Sequence, residues 1–401
     1  MTTHPSRRRP TRLAVGALLL DAGASLPFAV TGAVSASLRD DLMLSDRELG
    51  ASLAACFLAG ALVALLAQRV LDRLGGLPSA CLGVVLCTAA LLGIASASSA
   101  RALLVWLLAA GAGLAVMMPA SNLLLLKHGG VDRLAGLLAI KQASVPLAML
   151  TAGLLVPLAL AVATWRVLFL AATLAAPLGL VLLWSLPATA APDRSVRPTR
   201  ETTAGRIHSS RDRVPLALTD AAIGVALTSC LPGALTAYLV LSLVDAGLSP
   251  ATAALIYGGA NLSGIVLRLS GGLYASRTAT DGFRPVGLMM IVGGLGAGLL
   301  GTSQLWALIL GASLAFGLGW GWPGLLFYAV MRARPSAPAA ASAIVQSGGL
   351  AGAALGPFIA GAIVASYGWA AAWPAIGALA VTGGGLVLRA GSRIRSDRRG
   401  P

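Results

Sequence analysis

Asp21 and Lys141 are the deepest opposite charges in the first half of the sequence, each set well inside a long apolar run. At about 1.5 Å per helical residue, positions about nine and seven residues into their runs lie roughly 10 to 14 Å from the same end. An ionisable group at bilayer depth costs at least about 2.5 to 3.5 kcal/mol on insertion scales, so each needs a cavity or a partner. Two chemistries follow. The residues can neutralise one another as a structural pair, or Lys141 can attract an anionic head while Asp21 carries a proton.

On a continuous helix Ser144, Ala148 and Thr151 share the Lys141 face, a small and polar surface suited to water. Gln142 points about 100° away, and Gln346 sits mid-run in the eleventh apolar segment with Ser342 one turn earlier. A pair of amides can flank a site or serve as interhelical hydrogen-bond glue. Trp320 and Trp322 lie deep in the tenth segment beside Pro323, whereas Trp106, Trp165, Trp184, Trp306, Trp369 and Trp373 lie near segment ends, where aromatic belts are expected. Central indoles suit a wall for a partly apolar or planar compound, or lipid-facing packing. Asp220, six residues into the seventh segment, reads as a second proton-responsive group or, preferably, as a residue of the membrane interface.

The elements that position these side chains are membrane helices. Of 401 residues 57% are apolar and 11% charged, outside the soluble averages. Hydropathy and punctuation predict twelve spans: 13–38, 49–68, 78–97, 102–126, 134–162, 166–186, 214–242, 250–271, 284–302, 304–331, 338–364 and 369–389. An even number puts both termini on one side. Of the 29 Lys and Arg residues, 24 fall on that side, so both termini are expected in the cytoplasm, at a plasma membrane. The net charge of +15 is thus mainly a topology signal, and no nucleic-acid partner is expected. Ser6-Arg7-Arg8-Arg9 before an apolar run looks like a twin-arginine signal, but the run is too long, and cleavage would spoil the even count.

Several chemistries lose support. Cys56, Cys81, Cys87 and Cys230 lie in apolar runs without a CxxC pattern, and His4, His128 and His208 fall in tails or loops. Neither a disulfide framework nor a metal site is indicated. Without a Walker-type run, an ATP-driven machine is not expected, and no cofactor is implied. A membrane-embedded enzyme or sensor remains as the alternative class, though it would need a catalytic cluster or an appended domain.

The longest polar break, 187–213, reads as a flexible cytoplasmic linker between two six-helix bundles, 13–186 and 214–389. Residues 1–12 form an N-terminal tail and 390–401 a basic one. Internal similarity supports the division. Ser45 and Ser249, Gly60 and Gly264, Arg73 and Arg277, Pro119 and Pro323, Gln142 and Gln346, and Trp165 and Trp369 all share an offset of 204, while Leu26-Pro27 meets Leu231-Pro232 at 205. Parallel six-helix repeats about a midplane site are the plan of transporters that alternate access.

Two motifs carry a family resemblance. Gln68-Arg-Val-Leu-Asp72-Arg73-Leu-Gly75-Gly76 resembles the major facilitator signature GxxxDRxGRR, departing from it at Gln68 and Gly76, and Gly272 to Arg277 sits where a degenerate second copy belongs. Asp72, Arg73 and Arg277 are therefore candidate gating residues, a charge latch between halves, although Arg69 and Arg73 also serve topology. The succession Pro119-Ala-Ser-Asn122, Ile140-Lys141-Gln142 and Thr164-Trp165-Arg166 is similar to the bacterial branch grouped with cyanate and nitroimidazole transporters. This resemblance adds Asn122 to the substrate-binding candidates. It also implies that spans one, four, seven and ten, which carry Pro27, Pro119, Pro232 and Pro323, line the cavity. Gly352-x-x-x-Gly356-Pro357 resembles a drug-antiporter signature but stands in span eleven, where close helix packing is the better reading.

The expectation is an all-α membrane protein of the major facilitator fold, acting as a monomeric secondary transporter and not as an enzyme. It would move a small organic solute, an anion or a partly apolar planar compound, by alternating access with proton coupling at Asp21. Lys141, Gln142, Asn122, Trp320, Trp322 and Gln346 are the expected solute contacts. An efflux antiporter of the same fold is the alternative.

Overall fold

The computed structural model describes residues 8–129, 137, 140–185, 216–277, 282–334 and 338–399. The linker 187–213 therefore lies outside the described residues, as do the side chains of Asp72 and Arg277. Fifteen helices occur among the described residues. They are α1 (Arg8–Ala33), α2 (Ser35–Asp41), α3 (Asp46–Leu74), α4 (Gly76–Ala95), α5 (Ala100–Gly129), α6 (Ser144–Val162), α7 (Arg166–Ala172), α8 (Ala175–Trp184), α9 (Leu216–Asp245), α10 (Pro250–Arg277), α11 (Phe283–Leu299), α12 (Leu305–Gly321), α13 (Pro323–Ala333), α14 (Pro338–Tyr367) and α15 (Trp369–Arg399). Eleven stretches are long and apolar enough to cross a membrane, and α11 adds a shorter apolar helix, which agrees with a twelve-span fold.

Local chemistry explains the boundaries. Ser45 caps α3 by accepting from the Glu48 N–H, while the Glu48 carboxylate accepts from the Ser45 N–H, a reciprocal box that satisfies two otherwise orphaned donors. Ser249, its mate at offset 204, accepts from the Thr252 N–H at the start of α10. Gly75 closes α3 and opens α4 at φ 80°, a conformation that favours glycine, so the expected tight turn after Arg73 is present.

Prolines break two spans. Pro146 has no N–H for the Gln142 carbonyl, and the fifth span turns at Gln142 and Ala143 before α6 begins. Within α6 Ser144 and Ala148 pack inside while Thr151 is exposed, and the turn sets Lys141 off from that helix, so the single polar face expected of a continuous helix does not form. Pro323 separates α12 from α13, and the Gly319 carbonyl it leaves free accepts from the Trp322 indole at 2.7 Å. Pro119, the repeat mate, stays inside the continuous α5.

The packing follows the repeat. α1 lies on α6, α7 and α8, as α9 lies on α14 and α15. α3 packs on α5, as α10 packs on α12 and α13. Contacts between the first six spans and the last six are themselves exchanged by the repeat, since α3 meets α14 and α10 meets α6.

The apolar core is joined at one end and split at the other. One cluster runs through both sets of spans and holds Phe28, Leu53, Phe169, Tyr238, Tyr257, Phe316 and Trp373. Toward the end bearing the termini, two separate clusters replace it. One contains only first-half residues such as Leu13, Met117 and Leu183, the other only second-half residues such as Leu218, Met290 and Val387. At the joined end, Tyr238 donates to the Asp46 carbonyl at 2.9 Å and Tyr257 to the Ala29 carbonyl at 3.3 Å.

Toward the C-terminus, the helix expected to end at 389 continues to Arg399. Arg393 reaches Asp220 at 2.6 Å, and Arg389 stands 3.7 Å from the same carboxylate, so the basic tail begins as one face of α15. Asp220 thereby ties α9 to α15.

Candidate functional site

Asp21 and Lys141 meet. Lys141 Nζ stands 2.9 Å from Asp21 Oδ2, with the two side chains 7% and 0% exposed. α1 supplies the carboxylate, the turn before α6 the ammonium, and α5 the rest of the shell. Ser121 donates to Asp21 Oδ1 at 2.7 Å. Lys141 donates to the Met118 carbonyl at 2.9 Å and, through a short contact, to Asn122 Oδ1. The ammonium thus faces three acceptors, as many as it has N–H bonds. Asp21 Oδ2 has only the charge contact, since no hydrogen bond of good geometry reaches it.

The repeat supplies an internal control. At an offset of 205 in the first span and 204 elsewhere, Asp21, Ser121, Asn122 and Lys141 correspond to Ala226, Leu325, Leu326 and Val345. Leu325, Leu326 and Val345 are buried together in the second-half apolar cluster. The register is secured by Thr31 and Thr236, each donating to the carbonyl of the proline four residues back, at 2.6 and 2.7 Å. Helices in this arrangement therefore pack without any charge.

Other expected site residues scatter. Gln142 is exposed and contributes its carbonyl, and Gln346 is exposed on α14. Trp320 is half-buried against the cluster shared by both halves, with its ring centroid 6.2 Å from that of Phe316. Trp322 goes elsewhere: it is buried beside Phe283 and Met290 in the second-half core, with its indole N–H committed to Gly319. Its distance from the Lys141 shell has a plain cause, the carbonyl orphaned by Pro323. Arg73 is exposed at the end of α3, and the partners expected for it, Asp72 and Arg277, have side chains outside those described. Trp184 and Trp306 are exposed as a belt requires, but Trp165 and Trp373 are buried.

Sequence reasoning missed two features. Arg268, one of the 24 basic residues counted on the side of the termini, reaches into the protein and donates to the Gln142 carbonyl at 2.7 Å and the Trp320 carbonyl at 3.0 Å. The second is a duplicated corner at the joined end. The Trp165 indole donates to Asp41 at 3.1 Å and the Trp369 indole to Asp245 at 2.9 Å. Both the tryptophans and the aspartates are 204 apart, a signal present in the sequence and not used. In the first corner the third partner is Arg166, 2.6 Å from Asp41, whereas in the second it is Arg39, which crosses from the first half to reach Asp245 at 3.0 Å. The hydrogen bond from Arg166, helped by Trp165, holds the Asp41 carboxyl below its ordinary value. Burial works against the charge of Arg39, but the bond and charge of Asp245, with Asp46 and Asp40 adding, outweigh it and raise the guanidinium.

Comparison with known proteins agrees with this architecture. A mutant of the nucleoside transporter NupG superposes with a TM-score of 0.76 at 14% identity, covering 95% of this chain and 99% of that one. A bacterial homologue of the human lysosomal transporter Spinster, in an inward-facing and occupied conformation, gives 0.66 at 17% identity over 98% of each chain. At these identities the likeness concerns the fold alone. A search of curated protein sequences finds no match. The sequence profile of the Major Facilitator Superfamily matches residues 13–285, more than half of the chain, and the protein belongs to that superfamily of membrane transporters.

Proposed function

We propose that the protein is a proton-coupled secondary transporter that moves a small organic solute across the plasma membrane by alternating access, as a monomer with both termini in the cytoplasm. The observation that carries this reading is the buried Asp21–Lys141 pair, set against the apolar residues that fill the equivalent place in the second half. A buried ion pair is often no more stabilising than well-packed apolar side chains. Here the same fold packs both, so the charges are kept for what they do.

In this reading Asp21 is the proton site. With the carboxylate ionised, Lys141 is neutralised and bonded to Met118 and Asn122. Proton arrival at Oδ2 removes the counter-charge, frees the ammonium to turn toward solute, and makes the state of the pair depend on the proton gradient. The split core favours a conformation parted toward the termini, and Gln142, Gln346 and Trp320 are the remaining solute contacts we assign. Gating at that parted end, on the side of the termini, falls to Asp72, Arg73 and Arg277 as the halves close there. Asn122, Lys141, Trp165 and Arg166 all come from the succession shared with the cyanate and nitroimidazole branch, which is where we place the chain.

The experiment is a solute screen in vesicles of both orientations under an imposed pH gradient. With the solute in hand, Asp21→Asn should retain exchange and lose gradient-driven accumulation. Unchanged accumulation by that variant would remove Asp21 from coupling.

A further inference from the structure

Lys141 has Asp21 as its counter-charge, but Arg268 in the second half has none among the described residues. Arg268 lies on α10, within a membrane-spanning stretch, and is half-buried. Its two hydrogen bonds go to neutral carbonyls: Gln142 across the interface, left without its helical donor by Pro146, and Trp320 in its own half, just before the break at Pro323. Its charge centre stands 5.3 Å from the centre of the Trp320 ring. Nε is buried and has no partner. Among the described residues no carboxylate lies within ion-pair distance of it, although every other buried or half-buried charge discussed above has one.

A guanidinium carries five N–H donors, and two are used here. Among the described residues, Arg268 thus adds a positive charge with no carboxylate beside it, two residues from the end of its span, and a partly desolvated guanidinium is costly without an anion. A planar fork with an unpartnered Nε edge matches a carboxylate side-on through two parallel hydrogen bonds. The Trp320 indole beside it offers an apolar face to whatever body the carboxylate carries. We propose that Arg268 is a second solute-binding cation of this transporter, taking the carboxylate of a small aromatic or otherwise planar organic acid against Trp320 whether or not Lys141 has been released from Asp21. This deepens the transport reading and rests on it.

The test uses the full-length purified protein and follows its melting temperature with benzoate, salicylate and indole-3-acetate, each against its neutral amide. At least one acid should stabilise the protein in a concentration-dependent way and its amide should not. Arg268→Gln should abolish that stabilisation. Arg268→Lys, which keeps the charge for insertion but loses the fork, should weaken apparent affinity about tenfold, and Trp320→Leu should weaken it for the aromatic acids. The ligand-free melting temperature of each variant reports folding separately. Stabilisation by an acid that survives in Arg268→Gln overturns the proposal, as does stabilisation by no acid in the wild type. A neutral solute that binds and accumulates independently of Arg268 also overturns it while leaving the transport reading standing. Accumulation of no solute at all in the vesicle screen would instead count against that reading.

Discussion

The two halves of the molecule share a plan and differ in a few side chains, and those differences separate scaffold from mechanism. Both halves open their second helix with a serine cap, bend the first at a proline whose carbonyl receives a threonine, and close a corner with a Trp–Asp hydrogen bond. What is duplicated serves folding. What is not duplicated is charge within the spans: the first half buries Asp21 and Lys141 where the second buries apolar residues, and the second carries Arg268 where offset 204 gives Ala64. Charged chemistry in the interior is thus split between the halves in a form that neither half repeats.

The sharpest way to break this comparison is to make the first half like the second. Asp21→Ala with Lys141→Val installs the repeat residues at both positions. Because charge leaves as a pair, the double variant should insert and fold with stability near wild type or above it by about 1 to 4 kcal/mol. Lys141→Val alone strands a buried carboxylate and should cost about 3 to 5 kcal/mol, read as lost expression or a lowered melting temperature. Gradient-driven accumulation should vanish in the double variant. If accumulation persists, the pair is only a packing device and the halves differ by drift.

How closely the first and fifth spans of each bundle approach is a second difference, and it has the next largest expected effect. Gly352 and Gly356 on α14 face α9 so tightly that an added Cβ would lie 2.0 Å from the Ala226 carbonyl and 2.1 Å from that of Cys230. Their mates at offset 204, Ala148 and Ala152, already carry that carbon and are buried. The obstacle at Gly352 is backbone, which cannot rotate away. Gly352→Ala should therefore destabilise by about 1 to 3 kcal/mol, whereas Ala148→Gly should cost about 1 kcal/mol, measured by denaturation in the same detergent. Equal effects would mean that the two helix pairs are equally close.

Much of this was legible beforehand because membrane helices announce themselves by composition and because a charge in an apolar run must find a partner. Asp21 and Lys141 were placed at one depth by residue counting alone, and they do touch. Asn122, suggested by resemblance, proved to be part of the same shell. Trp322 was misread because its depth in the run was visible but the orphaned carbonyl that captures its indole was not. Arg268 does not stand out in the sequence, for a related reason: proximity to a span end gives it an ordinary topology role, and only the turn made by Pro146 brings a free carbonyl within its reach. The corner aspartates escaped notice although they obey the offset, since a charged residue just beyond a span has many ordinary uses.

Those corners give the mildest test, and the one most specific to the joint between the halves. Asp41 and Asp245 make the same bond to a tryptophan, but only Asp245 holds a cation from the other half. Exposed or half-exposed ion pairs contribute about 0.2 to 1 kcal/mol, enough to change a two-state population by at most about fivefold. Asp245→Asn should shift the conformational balance toward parting at the joined end, seen as longer distances between spin labels at the exposed Met43 and Tyr367. Asp41→Asn, cutting a tie within one half, should leave those distances alone. It should act on acid stability instead. The carboxyl of Asp41 is held below its ordinary value, so its contribution is complete above about pH 4 and is lost as pH falls through the lower folded value. Wild type should therefore lose a small increment of thermal stability on acidification that Asp41→Asn lacks at every pH, and high salt should shrink it. Equal shifts in the label distances for both variants would show that the corners are interchangeable, and that the arginine crossing from the first half is incidental to holding the two halves together.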